Sequence, residues 1–305
     1  MDAKITKQRL GNLLSYDWLK ILAAIAAAVF ALTVFFTMVR TRPTAAQRYS
    51  VYGYTGLKVG SDFLNLDSSV GGVFSYDILA VNTESFEGNS YQTMAFSARR
   101  AAGEGTVMFV SDYAADDGDE TTVEKSPLQT LTEQYRSDFE GDKYDNTLLL
   151  DTKQYFSDAQ SYLKTFFGEN WREGTLDEAR VRTAFDNRNG KDKRFRYKAE
   201  KYEAGVLQER ERLLKLREDY LFVEDAVEKG VITHTEITFE DGQTFSSGLC
   251  LGKLSSIYNL LCYNANGMQT AEKLNLVIFN NGERLGDLKY ETFSFLRYLI
   301  TKYGG

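Results

Sequence analysis

Hydrophobic positions along the chain form one long uninterrupted run and many short periodic patterns. The long run covers Ile21–Val39, nineteen residues without a charge. At a rise of ~1.5 Å per residue, a helix of this length spans about 29 Å, close to the roughly 30 Å hydrocarbon core of a bilayer. The run therefore predicts a transmembrane helix over residues 21–39, between an N-terminal segment 1–20 and a linker 40–48.

A cleaved signal peptide is the alternative interpretation, because small residues follow the run at Thr44–Ala46. The apolar region of a signal peptide usually has roughly 7 to 15 residues, which is shorter than this run. An uncleaved signal anchor is therefore favoured. Four Lys/Arg precede the run and three follow it closely, so the positive-inside rule leans toward a cytoplasmic N-terminus and an extracytoplasmic domain over residues 49–305.

The short patterns predict an α/β domain over residues 49–305. Alternating or wholly apolar segments predict strands, and apolar residues three or four apart predict helices. The predicted strands cover residues 49–54, 76–81, 106–110, 232–239, 244–251 and 274–279, and the predicted helices cover residues 89–102, 127–139, 152–167, 176–187, 197–229 and 287–303. Strand, helix and strand over residues 76–110 predict a βαβ unit with parallel strands. Along the longest helix, Leu207, Leu214 and Leu221 predict a partly buried face.

The charge of the domain argues against one class of partner. Six of the 36 Lys/Arg but only two of the 43 Asp/Glu lie in residues 1–42, which leaves 30 basic against 41 acidic groups in the remainder. An acidic domain repels a phosphate backbone, so no nucleic-acid partner is predicted. The basic run Arg180–Lys201 is a local exception. It fits an anionic lipid or wall surface, but a solvated helix–loop–helix is favoured.

Residues that commonly carry catalysis or bind metals are scarce. His234 is the single histidine and is interpreted as an ordinary strand residue, so no multi-histidine metal site can form. Gly248–Ser255 lacks the spacing of a phosphate-binding loop. No pair of carboxylates stands out from an acidic surface. The sequence therefore predicts a protein that is not an enzyme and has no metal or cofactor. Cys250 and Cys262 fit either one disulfide or two buried thiols.

Two segments together resemble the extracellular solute-binding proteins of ABC importers, of the type II periplasmic-binding-protein-like class. The first is Tyr76–Asp112, in which a strand leads to a helix with a Gly-rich end and then to a short buried strand. The second is the tail, which comprises Gly248–Leu251 and the segment LNLVIFNNGERLGDLKYETFSFLRYLI. The resemblance implies a two-lobed α/β ectodomain with a helical middle region.

In that family the ligand binds between the lobes, where strands end. Matching the segments places seven ligand-binding candidates after three predicted strands: Asn82, Glu84, Ser111, Asp112, Tyr113, Asn280 and Asn281. Asp and Asn side chains would hydrogen-bond ligand hydroxyls, and Tyr113 offers a stacking face. The alternative is that all seven are polar loop and cap residues.

The resemblance implies a membrane-anchored, extracytoplasmic binding domain. Its expected partners are the lipid bilayer through residues 21–39, an ABC transporter permease or another membrane protein, and a small polar solute. The alternative hypothesis is a structural or assembly subunit of a cell-envelope membrane complex, which has lost its ligand.

Overall fold

The structure is a computed structural model, and it describes residue 11 and residues 18–39, 43–54, 58–86, 90–114, 125–137, 149–262, 272–280 and 286–304. The chain divides into two compact units, residues 1–43 and residues 44–305.

The first unit contains a 22-residue helix, α1 (Trp18–Val39). Its stretch Trp18–Phe36 is long and apolar enough to cross a membrane, and none of it is buried. The predicted apolar helix is therefore confirmed. A helix of this length and composition near the N-terminus suits a membrane anchor or a signal sequence.

The second unit is built on a six-stranded mixed sheet, which confirms the predicted α/β class. Eight strands occur in the described ranges: β1 (Arg48–Gly53), β2 (Lys58–Val59), β3 (Ala80–Ser85), β4 (Val107–Ser111), β5 (Thr233–Thr238), β6 (Thr244–Cys250), β7 (Leu261–Cys262) and β8 (Leu274–Ile278). The large sheet has the order β3–β1–β4–β8–β6–β5, and β2 pairs with β7 separately. β1 is parallel to both β3 and β4, whereas β8, β6 and β5 continue the sheet in antiparallel fashion.

Helices cover both faces of this sheet. Those described are α2 (Ser61–Leu64), α3 (Leu66–Ser69), α4 (Ser90–Ala101), α5 (Pro127–Ser137), α6 (Thr152–Phe167), α7 (Glu178–Asn189), α8 (Ala199–Glu228) and α9 (Thr292–Tyr303), with 3₁₀ turns at Ala45–Gln47, Ile257–Asn259 and Gly286–Glu291. Along β4, Val107 and Phe109 join the core formed with α6 to α9, while Met108 and Val110 join the core formed with α4 and α5. The central strand is therefore buried on both faces, as its apolar sequence requires.

The two-lobed arrangement is not confirmed, because the described part of residues 44–305 forms one compact unit around one large sheet. The second predicted strand is also displaced. It was expected over residues 76–81 and lies at Ala80–Ser85, since Tyr76 and Asp77 form a turn instead. Side chains of α7 and α8 form hydrogen bonds that stabilise the turn. These contacts join distant parts of the chain, so the local hydrophobic pattern could not predict them.

The predicted buried face of the longest helix is wrong for one leucine. Leu207 is 60% exposed, whereas Leu213, Leu216, Tyr220 and Val223 are buried. The true inner face also carries three charged side chains, Glu209, Arg212 and Asp219. A search for apolar spacing passes over such positions, since charges are rarely buried unless they are paired.

Close packing of α7 against α8 supplies a test of the fold. Gly205 of α8 lies against Phe185 and Phe195, and a Cβ at this position would approach the Phe185 ring to 2.5 Å. Ala has the higher helix propensity, but both rings are buried and cannot retreat. We expect Gly205→Ala to lower the free energy of unfolding by about 1–3 kcal/mol in chemical denaturation.

The matched control is Gly72→Ala, because no atom lies within 4 Å of a Cβ at Gly72. Its effect should stay within about 0.5 kcal/mol. A Gly205→Ala protein as stable as the wild type would contradict the packing of α7 on α8.

Candidate functional site

The candidates at the end of β4 and directly after it have partners within the protein. The buried Ser111 hydroxyl accepts a hydrogen bond from the Tyr113 N–H at 3.1 Å. The Asp112 carboxylate accepts one from the Ser126 hydroxyl at 2.6 Å. Ser126 precedes α5, and its hydroxyl also accepts from the Gln129 N–H in a helix-capping interaction. Asp112 therefore supports the start of a helix.

Two further candidates lie on the edge strand β3. The Glu84 carboxylate forms an ion pair with Arg99 of α4 at 3.0 Å. Asn82 is exposed and pairs in register with Ser50, inside the strand and away from its end. The strands β3, β1 and β4 are parallel, so their C-terminal ends lie together. Glu84 and Ser111 are therefore near the same end of the strands.

Asn280 lies at the opposite end of the strands, where β4 begins. β8 runs antiparallel to β4, so Leu274 is opposite Ser111, while the Phe279 N–H donates to the carbonyl of Thr106, just before β4. Grouping Asn280 with Ser111 in one site was therefore wrong. The error comes from the direction of β8, which the local sequence does not encode. Asn281 lies outside the described residues. Ligand binding by the other candidates stays a prediction.

A cleft of about 640 Å³ lies elsewhere in this unit. Its lining comes from the end of α6, one face of α7 and two 3₁₀ turns: Ala46, Thr165, Phe166, Arg180, Thr183, Ala184, Asn187, Arg188, Gly286 and Asp287. The five α7 residues are spaced three or four apart, or are adjacent, and so share one side of the helix. The volume falls within the roughly 300–1,000 Å³ usual for small-molecule sites.

Arg188 is the most constrained of the cleft residues. Its Nε donates to Asp77 at 2.7 Å, and its Nη2 donates to Glu209 and to the Tyr76 hydroxyl. Its Nη1 is buried and has no hydrogen-bond acceptor in the part of the chain that the structure describes. Asp287 Oδ2 lies 3.9 Å from this nitrogen, beyond hydrogen-bond distance.

Behind the cleft lies a group of six paired charges, the buried charge cluster. Its members are Asp77, Arg188, Arg194, Glu209, Arg212 and Glu291. Asp77 and Glu209 have no exposed surface, and Arg212 and Glu291 are 3% exposed. Asp192 also pairs with Arg194 at 2.9 Å, and Asp287 is as far from Arg188 as Glu291 is from Arg212, so acidic groups outnumber the three guanidinium groups.

The protonation states in this cluster follow from the pairing. Burial raises the pKa of Glu209, but the charges and hydrogen bonds of Arg212 and Arg188 lower it by more. The pKa of Glu209 is therefore below its usual value. The pKa of Asp77 is lowered in the same way, because Arg188 and hydrogen bonds from Asn189 and Arg194 outweigh burial. Burial and Arg212 lower the pKa of Arg188, yet Glu209, Tyr76 and Asp77 raise it overall. All three groups are charged at neutral pH.

The basic run is thus only partly a solvated surface. Arg182 does form an exposed pair with Glu203, as the favoured interpretation expects. Arg188 and Arg194 are instead mostly buried and bound to Asp77, so that interpretation is wrong for them. Spacing in the sequence carries no signal for this pairing, since more than one hundred residues separate the partners.

His234, interpreted from the sequence as an ordinary strand residue, has hydrogen-bonding neighbours within the fold. His234 Nδ1 lies 2.7 Å from the Thr152 hydroxyl, which in turn lies 2.7 Å from the Ser246 hydroxyl. Both hydroxyls are buried, so neither is presented to a substrate. Burial and Lys153 lower the pKa of His234. Cys250 is a free thiol.

Within the described ranges, no three His, Cys, Asp or Glu side chains are grouped as metal ligands. Comparison with known proteins found no matching family model, no similar curated protein and no similar solved structure.

Removing one acid from the buried charge cluster tests its pairing. Glu209→Gln leaves the guanidinium groups of Arg188 and Arg212 buried with less compensating charge. We expect the free energy of unfolding to fall by about 3–5 kcal/mol, measured by urea denaturation. Glu203→Gln is the control, because it breaks the exposed pair with Arg182 and should leave stability unchanged. Equal losses in the two variants would contradict the cluster.

Proposed function

We propose that the protein is a membrane-anchored, extracytoplasmic binding domain that holds a small polar molecule in the cleft beside α7. It acts with a membrane partner, such as an ABC transporter permease. The observation that carries the proposal is the composition of the cleft wall. Arg180, Thr183 and Asn187 offer polar contacts beside the apolar surfaces of Phe166 and Ala184. A few polar groups on a largely apolar wall are typical of ligand sites.

The internal partners of the strand-end candidates also favour the cleft as the binding site. Asp112 and Glu84 already bind Ser126 and Arg99, so a ligand there would have to replace internal contacts. Arg180 and Asn187 of the cleft are instead exposed, so a ligand can reach their polar groups.

The anchor is supported by α1 and by the count of basic residues around it. An apolar helix of nineteen residues spans a bilayer without help from other segments. With the N-terminus in the cytoplasm, the binding domain faces outward, where solutes for import are captured.

A structural or assembly role is the second candidate. It is favoured by α4, on which Tyr91 and Met94 are 79% and 72% exposed. They lie three residues apart and therefore on one side of the helix. An exposed apolar surface of this kind suits contact with another protein.

Blocking the cleft distinguishes the two candidates. Ala184 is half-buried and lines the cleft, so Ala184→Trp fills the space that a ligand needs. We expect at least one class among sugars, amino acids, organic acids and short peptides to raise the Tm of the full chain in lipid nanodiscs. The same compounds should leave the Tm of Ala184→Trp unchanged.

Leu207→Trp is the matched control, because it adds the same side chain at an exposed site on α8. It should respond to ligand like the wild type, and the Tm of each variant without ligand reports its folding. No stabilisation of the wild type by any class, or an undiminished response of Ala184→Trp, would overturn the proposed function.

A further inference from the structure

An exposed group of basic side chains, the basic patch, lies between the end of α7 and the first turn of α8. Its members are Lys191, Lys193, Arg196, Lys198 and Lys201. None of them forms an ion pair with a described residue, whereas the neighbouring Arg194 is paired with Asp77 and Asp192. Glu200 is the single exposed acid among residues 190–201, so the patch carries an excess of positive charge.

Inward contacts of the same segment hold the basic patch in place. Phe195 is buried, and its ring lies 5.2 Å from the ring of Phe185 on α7. Arg194 donates hydrogen bonds to Asp77 at 2.5 Å and to Asp192 at 3.0 Å. The exposed cations are therefore presented together on a fixed backbone, which lowers the entropy lost when they meet a partner.

The basic patch adjoins the place where the chain enters the second unit. Gln47, in the first turn of that unit, donates to Asp77 Oδ1 at 3.4 Å, and Arg194 donates to the same oxygen. The same turn also lines the cleft together with the last residues of α7. Two separate contacts thus place the segment that carries the patch beside the start of the unit.

A bilayer spanned by α1 is within reach of this place. Four residues, 40–43, join the end of α1 to Thr44, the first residue of the second unit. At no more than about 3.6 Å per residue, such a linker reaches about 15 Å. The start of the second unit therefore has a bilayer surface as its neighbour when α1 is inserted.

The charge of the domain decides which lipids fit the basic patch. The remainder of the chain after residue 42 carries 30 basic against 41 acidic groups, so an anionic surface attracts it only where basic groups are gathered. Each Lys or Arg close to anionic lipids adds to the attraction. Tyr197, within the patch, is 64% exposed, and tyrosine rings favour the headgroup layer of a membrane.

We propose that the basic patch binds the anionic headgroups of the bilayer that α1 spans, and so orients the domain on the membrane surface. The proposal rests on the membrane anchor of the proposed function, but not on ligand binding in the cleft. A tethered domain meets its own bilayer at high effective concentration, whereas an acidic protein must be captured from solution. The bilayer is therefore the favoured partner.

Lysine acetylation of the full chain in lipid nanodiscs tests the proposal. Nanodiscs of phosphatidylcholine alone are compared with nanodiscs that contain an equal part of phosphatidylglycerol, and mass spectrometry measures the acetylation rate at each lysine with an uncharged reagent. We expect the four lysines of the basic patch to react at least about threefold more slowly on the anionic nanodiscs. High salt should restore their rates, because it screens exposed charges.

Lys229 is the internal control. It is exposed and follows the last residue of the 30-residue helix α8, about 45 Å from the end of α8 that adjoins the basic patch. Its acetylation rate should be the same on both kinds of nanodisc.

Removing part of the basic patch makes the test specific to it. The triple variant Lys191→Gln, Lys193→Gln and Arg196→Gln removes three of the five charges and leaves Lys198 and Lys201 as reporters. We expect these two reporters to lose most of their protection on anionic nanodiscs.

The matched control removes three exposed lysines elsewhere, through Lys153→Gln, Lys229→Gln and Lys253→Gln. It should leave Lys198 and Lys201 as protected as in the wild type. The Tm of each variant reports its folding.

The other outcomes overturn the inference in distinguishable ways. Equal rates on the two kinds of nanodisc, protection that survives the triple variant, or equal slowing of Lys229 would each contradict lipid binding by the patch. Protection by added polyglutamate on neutral nanodiscs, without protection by anionic lipid, would assign the patch to an acidic protein. In these cases the anchor and the cleft stand. A chain that does not insert into nanodiscs at all would refute the proposed function together with the inference.

Discussion

Burying charged groups is costly unless each one is compensated, and residues 44–305 bury four of them beside the half-buried Arg188 and Arg194. Asp77 and Glu209, which have no exposed surface, lie between guanidinium groups that come from α7, the loop after it and α8. The pairing is possible only when these segments and the turn at Tyr76 meet in one arrangement. The cluster therefore constrains how the helical layer lies on the sheet.

The same constraint shapes the cleft. Arg188 lines the cleft and is held by Asp77 and Glu209 through two of its nitrogens, while its third nitrogen is buried. The pairing keeps its pKa raised, so the guanidinium is charged wherever the domain is folded. Binding residues held in place by buried partners lose little entropy when a ligand arrives. The buried charge cluster and the wall of the cleft thus share one side chain.

Local patterns account for much of the fold. The predicted helix over residues 152–167 has the observed ends, because Asp151 caps it and Gly168 follows it. The hairpin around Asp241 is likewise a local feature. Strand direction was harder, since the antiparallel course of β8, which separates Asn280 from Ser111, depends on pairing between distant segments.

The candidate site was largely invisible in the sequence. The leucines at 207, 214 and 221 suggested one face of α8, while the buried face combines other apolar residues with Glu209 and Arg212. A prediction from hydrophobic spacing ordinarily places charged residues on the surface. The meeting of Asp77 with Arg188, 111 positions away, and the pairing of Glu209 with Arg188 explain why these charges are inside.

Measurement of the coupling free energy between Arg188 and Glu209 tests the account most directly. A double-mutant cycle with Arg188→Gln, Glu209→Gln and the combined variant measures it through the free energy of unfolding. If the two side chains pair in the folded protein, the combined loss will be smaller than the sum of the single losses by at least about 1 kcal/mol. Strictly additive losses would contradict the pairing and, with it, the positioning of Arg188 in the cleft.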